Sequence, residues 1–360
     1  MKIAIVGAGI VGSTAAYYLS KEKDVEVTVF DHGLGQATKA AAGIISPWFS
    51  KRRNKAWYRM ARLGADFYQN LVSDLENDGY DTSFYDQSGV ALLKKDDSKL
   101  DGLYQHAETR LEESPIIGEL SIKNVADLPE FTGFDRYLYA SGGARVEGAE
   151  LTATLIEASG FEKVEGLVTL SPLDNGTYEI NGQTFDKVIL SCGAWLGQTL
   201  EPLGFEVDVR PQKGQLRDYF FEGMDTGRLP VLMPEGELDV IPFAGGKISV
   251  GASHENDQGF DLTVDETVLA SLEEEAKTYF PDLSTAKSFS ERVGTRAYTS
   301  DFSPFFGEVP ELEGVFVASG LGSSGLTTGP LIGKNLVELA MNRPGSLDSS
   351  DYPVSQYVKK

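Results

Sequence analysis

A chain of 360 residues can bury a large core, and its length alone suggests about two domains. With 54 acidic against 32 basic residues the formal charge is −22, so nonspecific binding to nucleic acid or anionic lipid is opposed by repulsion and the charge reads as a solubilising surface. No uninterrupted apolar run reaches the roughly 18 residues of a membrane span, so no integral membrane segment is expected.

The apolar run Ile3 to Val6 reads as a strand, Gly7-Ala8-Gly9-Ile10-Val11-Gly12 as a tight loop, and the stretch after Gly12 as a helix. Gly7 permits the turn, Gly9 lets backbone approach a pyrophosphate, and Gly12 lets helix pack closely on strand. The free amides and positive end of the helix then face the phosphates. A second strand, Val25 to Phe30, delivers Asp31, whose carboxylate suits ribose hydroxyls, and an acid there argues against a 2′-phosphate. A signal peptide is rejected, because glycines interrupt the apolar run and Lys21-Glu22-Lys23 comes next without a cleavage site.

The segment Gln36 to Pro47 is rich in small residues, against which a flat ring system can lie, although an Ala-rich helix start reads equally well. Residues 55–76 carry Ala56, Met60, Leu63, Phe67, Leu71 and Leu75 at helical spacing, a core stripe. Lys51, Arg52, Arg53 and Lys55 just upstream read as solvated surface, with attraction of anionic substrates as the alternative. Residues 83–141 mix strands and helices, including a strand at 89–93 and a polar helix at 100–113. Ala144 to Glu147 leads into a helix at 148–159, and 186–191 is a buried strand ending at Cys192-Gly193-Ala194-Trp195. Runs between 206 and 255 suggest an antiparallel sheet with turns. Near the end, 315–318 is a strand, 319–329 a Gly/Ser/Thr-rich loop and 331–341 a helix closed by Pro344. Two glycine-rich loops entering helices, at opposite ends of the chain, suggest one long cofactor held by both.

Cys192 is the only cysteine, which rules out an intramolecular disulfide and a cysteine-based zinc site and fits a cytoplasmic protein. His32, His106 and His254 are scattered without ligand spacing, so neither metal nor Ser-His-Asp chemistry is expected.

Taken in order, Gly7 to Gly12 with Asp31, Thr38 to Pro47, Ser191 to Trp195, Arg210 to Gln215, Ile248 to Ser253, Gly294 to Asp301 and Gly320 to Thr328 resemble the D-amino-acid oxidase and glycine oxidase group of FAD-dependent amine oxidoreductases over nearly the whole chain. The resemblance implies an α/β plus α+β fold. A discontinuous Rossmann-like FAD-binding domain would comprise 1–82, 142–205 and 291–360, and a substrate domain on a large antiparallel or mixed sheet would comprise 83–141 and 206–290. It further implies non-covalent FAD, contacted by Gly7, Gly9, Ile10, Val11 and Gly12 at the pyrophosphate, Asp31 and His32 at the ribose, and Val168 at the adenine. Thr38, Ala41, Ala42, Gly43 and Ile44 would line the isoalloxazine, and Cys192, Gly193 and Trp195 the dinucleotide. Gly322, Ser323, Ser324, Gly325, Leu326 and Thr327 would close over the pyrimidine end. Two positions depart from the group's pattern: Asp31 where Glu is usual, and Lys39 where a small hydroxyl residue is common.

By the same resemblance Arg296 pairs with a substrate carboxylate, its planar guanidinium offering two-point hydrogen bonding. Tyr219, His254, Tyr298 and Ser323 are candidates for lining the substrate pocket. The implied reaction is oxidation of a small amino acid, a D-amino acid or glycine, by hydride transfer from Cα–H to flavin N5, with the imino acid hydrolysing to the 2-oxo acid and oxygen or another acceptor taking the electrons. Alternatives are an oxidase or dehydrogenase of a secondary amine such as sarcosine, a nicotinamide-dependent dehydrogenase, and an FAD-binding protein without turnover.

Overall fold

Along the strand Lys2–Val6 alternate side chains enter different cores. Ile3 and Ile5 join the cluster formed with the helices, while Ala4 and Val6 join a second cluster with Leu170, Tyr178 and Phe185. A strand apolar on both faces belongs inside a covered parallel sheet. The computed structural model, which describes residues 1–360, shows it there. The six-stranded sheet runs in the order Phe305–Glu308, Val315–Ser319, Lys187–Leu190, Lys2–Val6, Glu26–Asp31 and Glu162–Glu165, parallel except for the hairpin at its first edge. Helices Ile10–Leu19, Gly148–Ser159 and Gly325–Ala340 cover one face and the small sheet spanning 170–185 the other. The long helix Lys55–Asn77 packs on Gly325–Ala340. It starts where the Asn54 side chain accepts the Trp57 amide at 3.0 Å.

An eight-stranded sheet stands above the carboxyl ends of these strands, in the order Ser288–Tyr298, Arg210–Phe220, Lys247–Gly251, Asp239–Phe243, Val231–Met233, Val90–Leu92, Arg136–Ala140 and Leu120–Asn124. Only its 231–233/90–92 pair is parallel. Helix Glu266–Tyr279 covers its outer face. Arg145, 2% exposed on the short strand Ala144–Val146, fastens that strand to the large sheet: it donates to the carbonyls of Leu229, Pro242 and Gly227 and pairs with Asp86 at 2.6 Å. A buried guanidinium is tolerable only with partners of this kind.

Three expectations need correction. The boundary at 290/291 falls inside the single strand Ser288–Tyr298, so residues 291–298 belong to the large sheet. The polar helix is Asp97–Glu108, beginning where Asp96 accepts the Ser98 amide at 2.8 Å. The last helix begins at Gly325 rather than 331 and contains Pro330. Proline lacks the amide that would bond the carbonyl four residues back. Here that carbonyl, of Leu326, accepts the Tyr68 hydroxyl at 2.7 Å, so the helix tolerates the break.

Candidate active site

A cavity of about 1060 Å³ runs from the Gly7–Gly9 turn to the large sheet. Gly7 adopts φ +100°, and a Cβ there would lie 2.4 Å from the Ser191 carbonyl oxygen. A Cβ on Gly12 would lie 1.9 Å from the Gly7 carbonyl oxygen, so Gly12 fastens helix to loop and does not itself line the cavity. At Gly9 a Cβ would meet only Thr38 Oγ1, at 3.4 Å, so the protein leaves that side open. The Ile10 amide is capped by Thr38 Oγ1 at 3.0 Å, whereas the amides of Val11 and Gly12 find no acceptor in the chain. Asp31 ends its strand beside them. One oxygen accepts the Ala8 amide at 3.3 Å and the other the Gln36 amide group, whose own Oε1 is buried without a partner. His32 and Val168 also line this end.

In the middle of the cavity, Ala41, Ala42, Gly43 and Ile44 form one wall. Gly43 has φ +84°, and a Cβ would lie 2.0 Å from the Val146 carbonyl oxygen. The wall is held from the large sheet by Arg292, a residue that sequence reasoning missed. It donates to the Ala41 carbonyl at 3.0 Å and to Asp218 at 2.8 Å and Ser249 at 3.0 Å. Cys192, Gly193 and Trp195 line the opposite side, with Trp195 packed on Phe260. Burial pushes the Cys192 thiol up to about 11, so it stays protonated and unreactive at neutral pH. The loop from Gly322 through Thr327 closes the far end.

Two of the four pocket candidates lie elsewhere. Along Arg210–Phe220, Gln212, Gly214 and Asp218 face the cavity side, whereas Lys213, Gln215, Arg217 and Tyr219 face out to acids: Asp261, Glu255, Glu266 and Glu273. Tyr219 is on the wrong side of the pleat by one residue, its hydroxyl bound to Glu273 at 2.8 Å. Tyr298 is buried beneath the C-terminal loop. Its ring fills the space a Cβ on Gly322 would occupy, and its hydroxyl accepts the Ser323 amide at 3.1 Å, so it supports the wall without lining it. His254 and Ser323 do line the cavity. Burial and the nearby Arg296 hold the His254 imidazole below its ordinary pKa, favouring the neutral ring. The basic cluster Lys51, Arg52, Arg53 and Lys55 is exposed outside the lining, with Arg52 lying over Trp57.

Arg296 reaches the cavity from the strand Ser288–Tyr298, opposite Gln212. Its Nη1 donates to the Ser253 carbonyl at 2.8 Å and to Gln212 Oε1 at 3.3 Å. The guanidinium lies flat over Gly214, where a Cβ would come within 2.5 Å of Nη1. It forms no ion pair, and Glu237 and Glu255 act on it only at longer range. Glu237 and Asp239, neither anticipated from sequence, add carboxylates to the same lining.

This donor set fits FAD: unpartnered helix amides at one end, an acid beside them, and a wall of small residues in the middle. Such a group would be held by the Gly7–Gly12 turn, Asp31, the 41–44 wall and the 322–327 loop.

Comparison with known proteins agrees with this geometry. Residues 2–339 match the DAO family, described as FAD dependent oxidoreductase. The uncharacterized oxidoreductase YurR of Bacillus subtilis (strain 168) is 38% identical over 97% of this chain and 97% of its own length. Glycine oxidase of Pseudomonas aeruginosa is 29% identical, with 98% of each chain covered. Among solved structures, iminodiacetate oxidase from Chelativorans sp. BNC1 superposes with a TM-score of 0.92 at 30% identity, over 97% of this chain and 98% of that one. With the match spanning both sheets and both glycine-rich loops, this chain belongs to the DAO family of FAD-dependent oxidoreductases.

Proposed function

We propose that the chain oxidises the carbon–nitrogen bond of a small amino acid, glycine or a D-amino acid, giving an imino acid that water converts to the 2-oxo acid. The observation that carries this reading is Arg296: a largely buried guanidinium at the cavity wall, anchored by one nitrogen and without a carboxylate counter-ion. A substrate carboxylate supplies the missing charge, and a guanidinium fixes its orientation through paired hydrogen bonds.

FAD, when bound, supplies the two-electron acceptor for the hydride from Cα. The chain's own residues do the positioning. Gly214 lets Arg296 lie flat on the sheet, Ser253 and Gln212 fix its Nη1, and Arg292 holds the Ala41 backbone against the sheet that carries Arg296. The neutral tendency of His254 avoids a second cation beside the substrate amine. Relatives and neighbours named glycine oxidase and iminodiacetate oxidase support an amine substrate bearing a carboxylate.

Anaerobic mixing of the flavin-loaded protein with glycine, sarcosine, iminodiacetate and a panel of D-amino acids tests the reading. Bleaching of the flavin band by at least one of them is the expected result. A flavin that stays oxidised with every amine carrying a carboxylate overturns it.

A further inference from the structure

Arg296 is not the only ionisable group in the cavity without a partner of opposite charge. Asp239 opens the strand Asp239–Phe243, opposite Gly251 in the ladder, and its carboxylate borders the cavity with neither hydrogen bond nor ion pair. Ile241 and Phe243, on the same side of the pleat, run into the main core, so parity turns Asp239 inward rather than toward bulk water. The other ionisable groups on this side are engaged elsewhere: Lys94 approaches Glu235 at 3.9 Å, His254 approaches Glu237 at 3.8 Å, and Arg296 bonds the Ser253 carbonyl. Asp239 is partly enclosed rather than fully buried, and an unpaired carboxylate in such a site is costly unless it takes a proton or meets a cation. Burial alone pushes the Asp239 carboxyl up to about 8.

The spacing is informative. Ser253, whose carbonyl holds Arg296, lies two residues beyond the ladder partner of Asp239. Arg296 and Asp239 thus line the same cavity from neighbouring parts of one sheet, which suits a small molecule carrying an anionic and a cationic end.

Building on the reading of the cavity as an amino-acid site, we propose that Asp239 receives the ammonium end of a zwitterionic substrate and takes up its proton, so that the amine is neutral when hydride leaves Cα. The step balances. At neutral pH the raised carboxyl first releases its own proton to solvent as the ammonium docks, leaving a carboxylate–ammonium pair; an N–H bond of the ammonium then breaks and an O–H bond forms on Asp239. The freed lone pair then forms the C=N bond as the hydride departs to FAD. A carboxyl raised toward the range of an amino-acid ammonium makes that transfer easier, because proton exchange is most efficient between groups of similar pKa.

Calorimetry on the flavin-loaded protein at pH 7, in two buffers of different ionisation enthalpy, tests this without turnover. The probes are 2-aminoisobutyrate, which has no Cα–H, and isobutyrate, which has no amine. Binding of 2-aminoisobutyrate to the wild type expels close to one proton, whereas Asp239→Asn and Asp239→Ser expel none; isobutyrate binds all three without proton release. In the variants kcat/KM at pH 7 falls by about 100-fold or more and recovers as pH approaches the amine's own pKa. Equal proton release in variant and wild type, or an unchanged pH profile, overturns the assignment. If instead no amino acid bleaches wild-type flavin, the amino-acid reading itself fails, a result separable from loss of the Asp239 effect alone.

Discussion

The two ends of the cavity differ in how their charges are treated. At the nucleotide end, Asp31 is engaged by the Ala8 amide and Gln36, and the Thr38 hydroxyl is engaged by the Ile10 amide. At the sheet end, Arg296 and Asp239 border one cavity and each lacks a counter-ion. The first end is a preformed cradle whose side chains are already oriented. The second withholds pairing for the molecule that enters, which makes affinity there depend on charge placement rather than on shape.

Substitutions can break this contrast at either end. The largest effect is expected from Gly12→Ala, because the new Cβ would lie 1.9 Å from the Gly7 carbonyl oxygen and the turn cannot keep its shape. We expect a loss of about 3 kcal/mol or more in FAD affinity, read by flavin fluorescence titration. Arg296→Met should leave FAD affinity intact while kcat/KM for amino acids falls by about 3 kcal/mol, more than 100-fold. Unchanged kcat/KM would remove Arg296 from the site.

The Asp239 charge has a stability signature in the cofactor-free protein. Its carboxyl titrates near about 8 when folded and near about 4 when unfolded. Between those values the folded chain keeps a proton that the unfolded chain has lost. Stability contributed by the neutral carboxyl is therefore full below about pH 4, declines as pH rises to about 8, and levels off beyond. Cavity water screens part of the cost, so the decline is on the order of 2 kcal/mol. Asp239→Asn should flatten it in denaturant titrations run from pH 5 to 8.

Gly214→Ala sharpens the picture at the sheet end. A Cβ within 2.5 Å of Arg296 Nη1 must displace the guanidinium. The expected cost is about 1.5 kcal/mol in kcat/KM, with FAD affinity unaltered. The smallest effect belongs to Thr38→Val, which removes the cap on the Ile10 amide and should weaken FAD binding or thermal stability by about 1 kcal/mol. A variant as stable and as well loaded as the wild type would show that the amide finds another acceptor.

Much of the nucleotide end could be read from sequence because its parts are local. Gly7, Gly9, Gly12 and Asp31 lie within one strand–helix–strand unit, and the stripe from Ala56 to Leu75 arises from helical period. The sheet end was harder. Naming Tyr219 missed the pocket by one step of the pleat, and Tyr298 proved to be the support of the wall rather than its surface. Helix Glu266–Tyr279 went unread although Leu269, Leu272 and Ala276 lie at helical spacing behind the Asp265 cap. Asp239 gave no local signal: an acid at the start of a strand is common, and only its neighbours reveal that nothing pairs with it.

Sequence by itself determined the nucleotide turn, the order of the segments and the family they resemble, because glycine stereochemistry and apolar period act over a few residues. Tertiary structure alone decided which face of the large sheet meets the cavity, that Arg292 and Gly214 hold and seat the working parts, and that Arg296 and Asp239 stand unpaired in one enclosure. The reason is that strand register and burial are set by partners distant in the chain, and a charge acquires its character from the partners it lacks as much as from those it has.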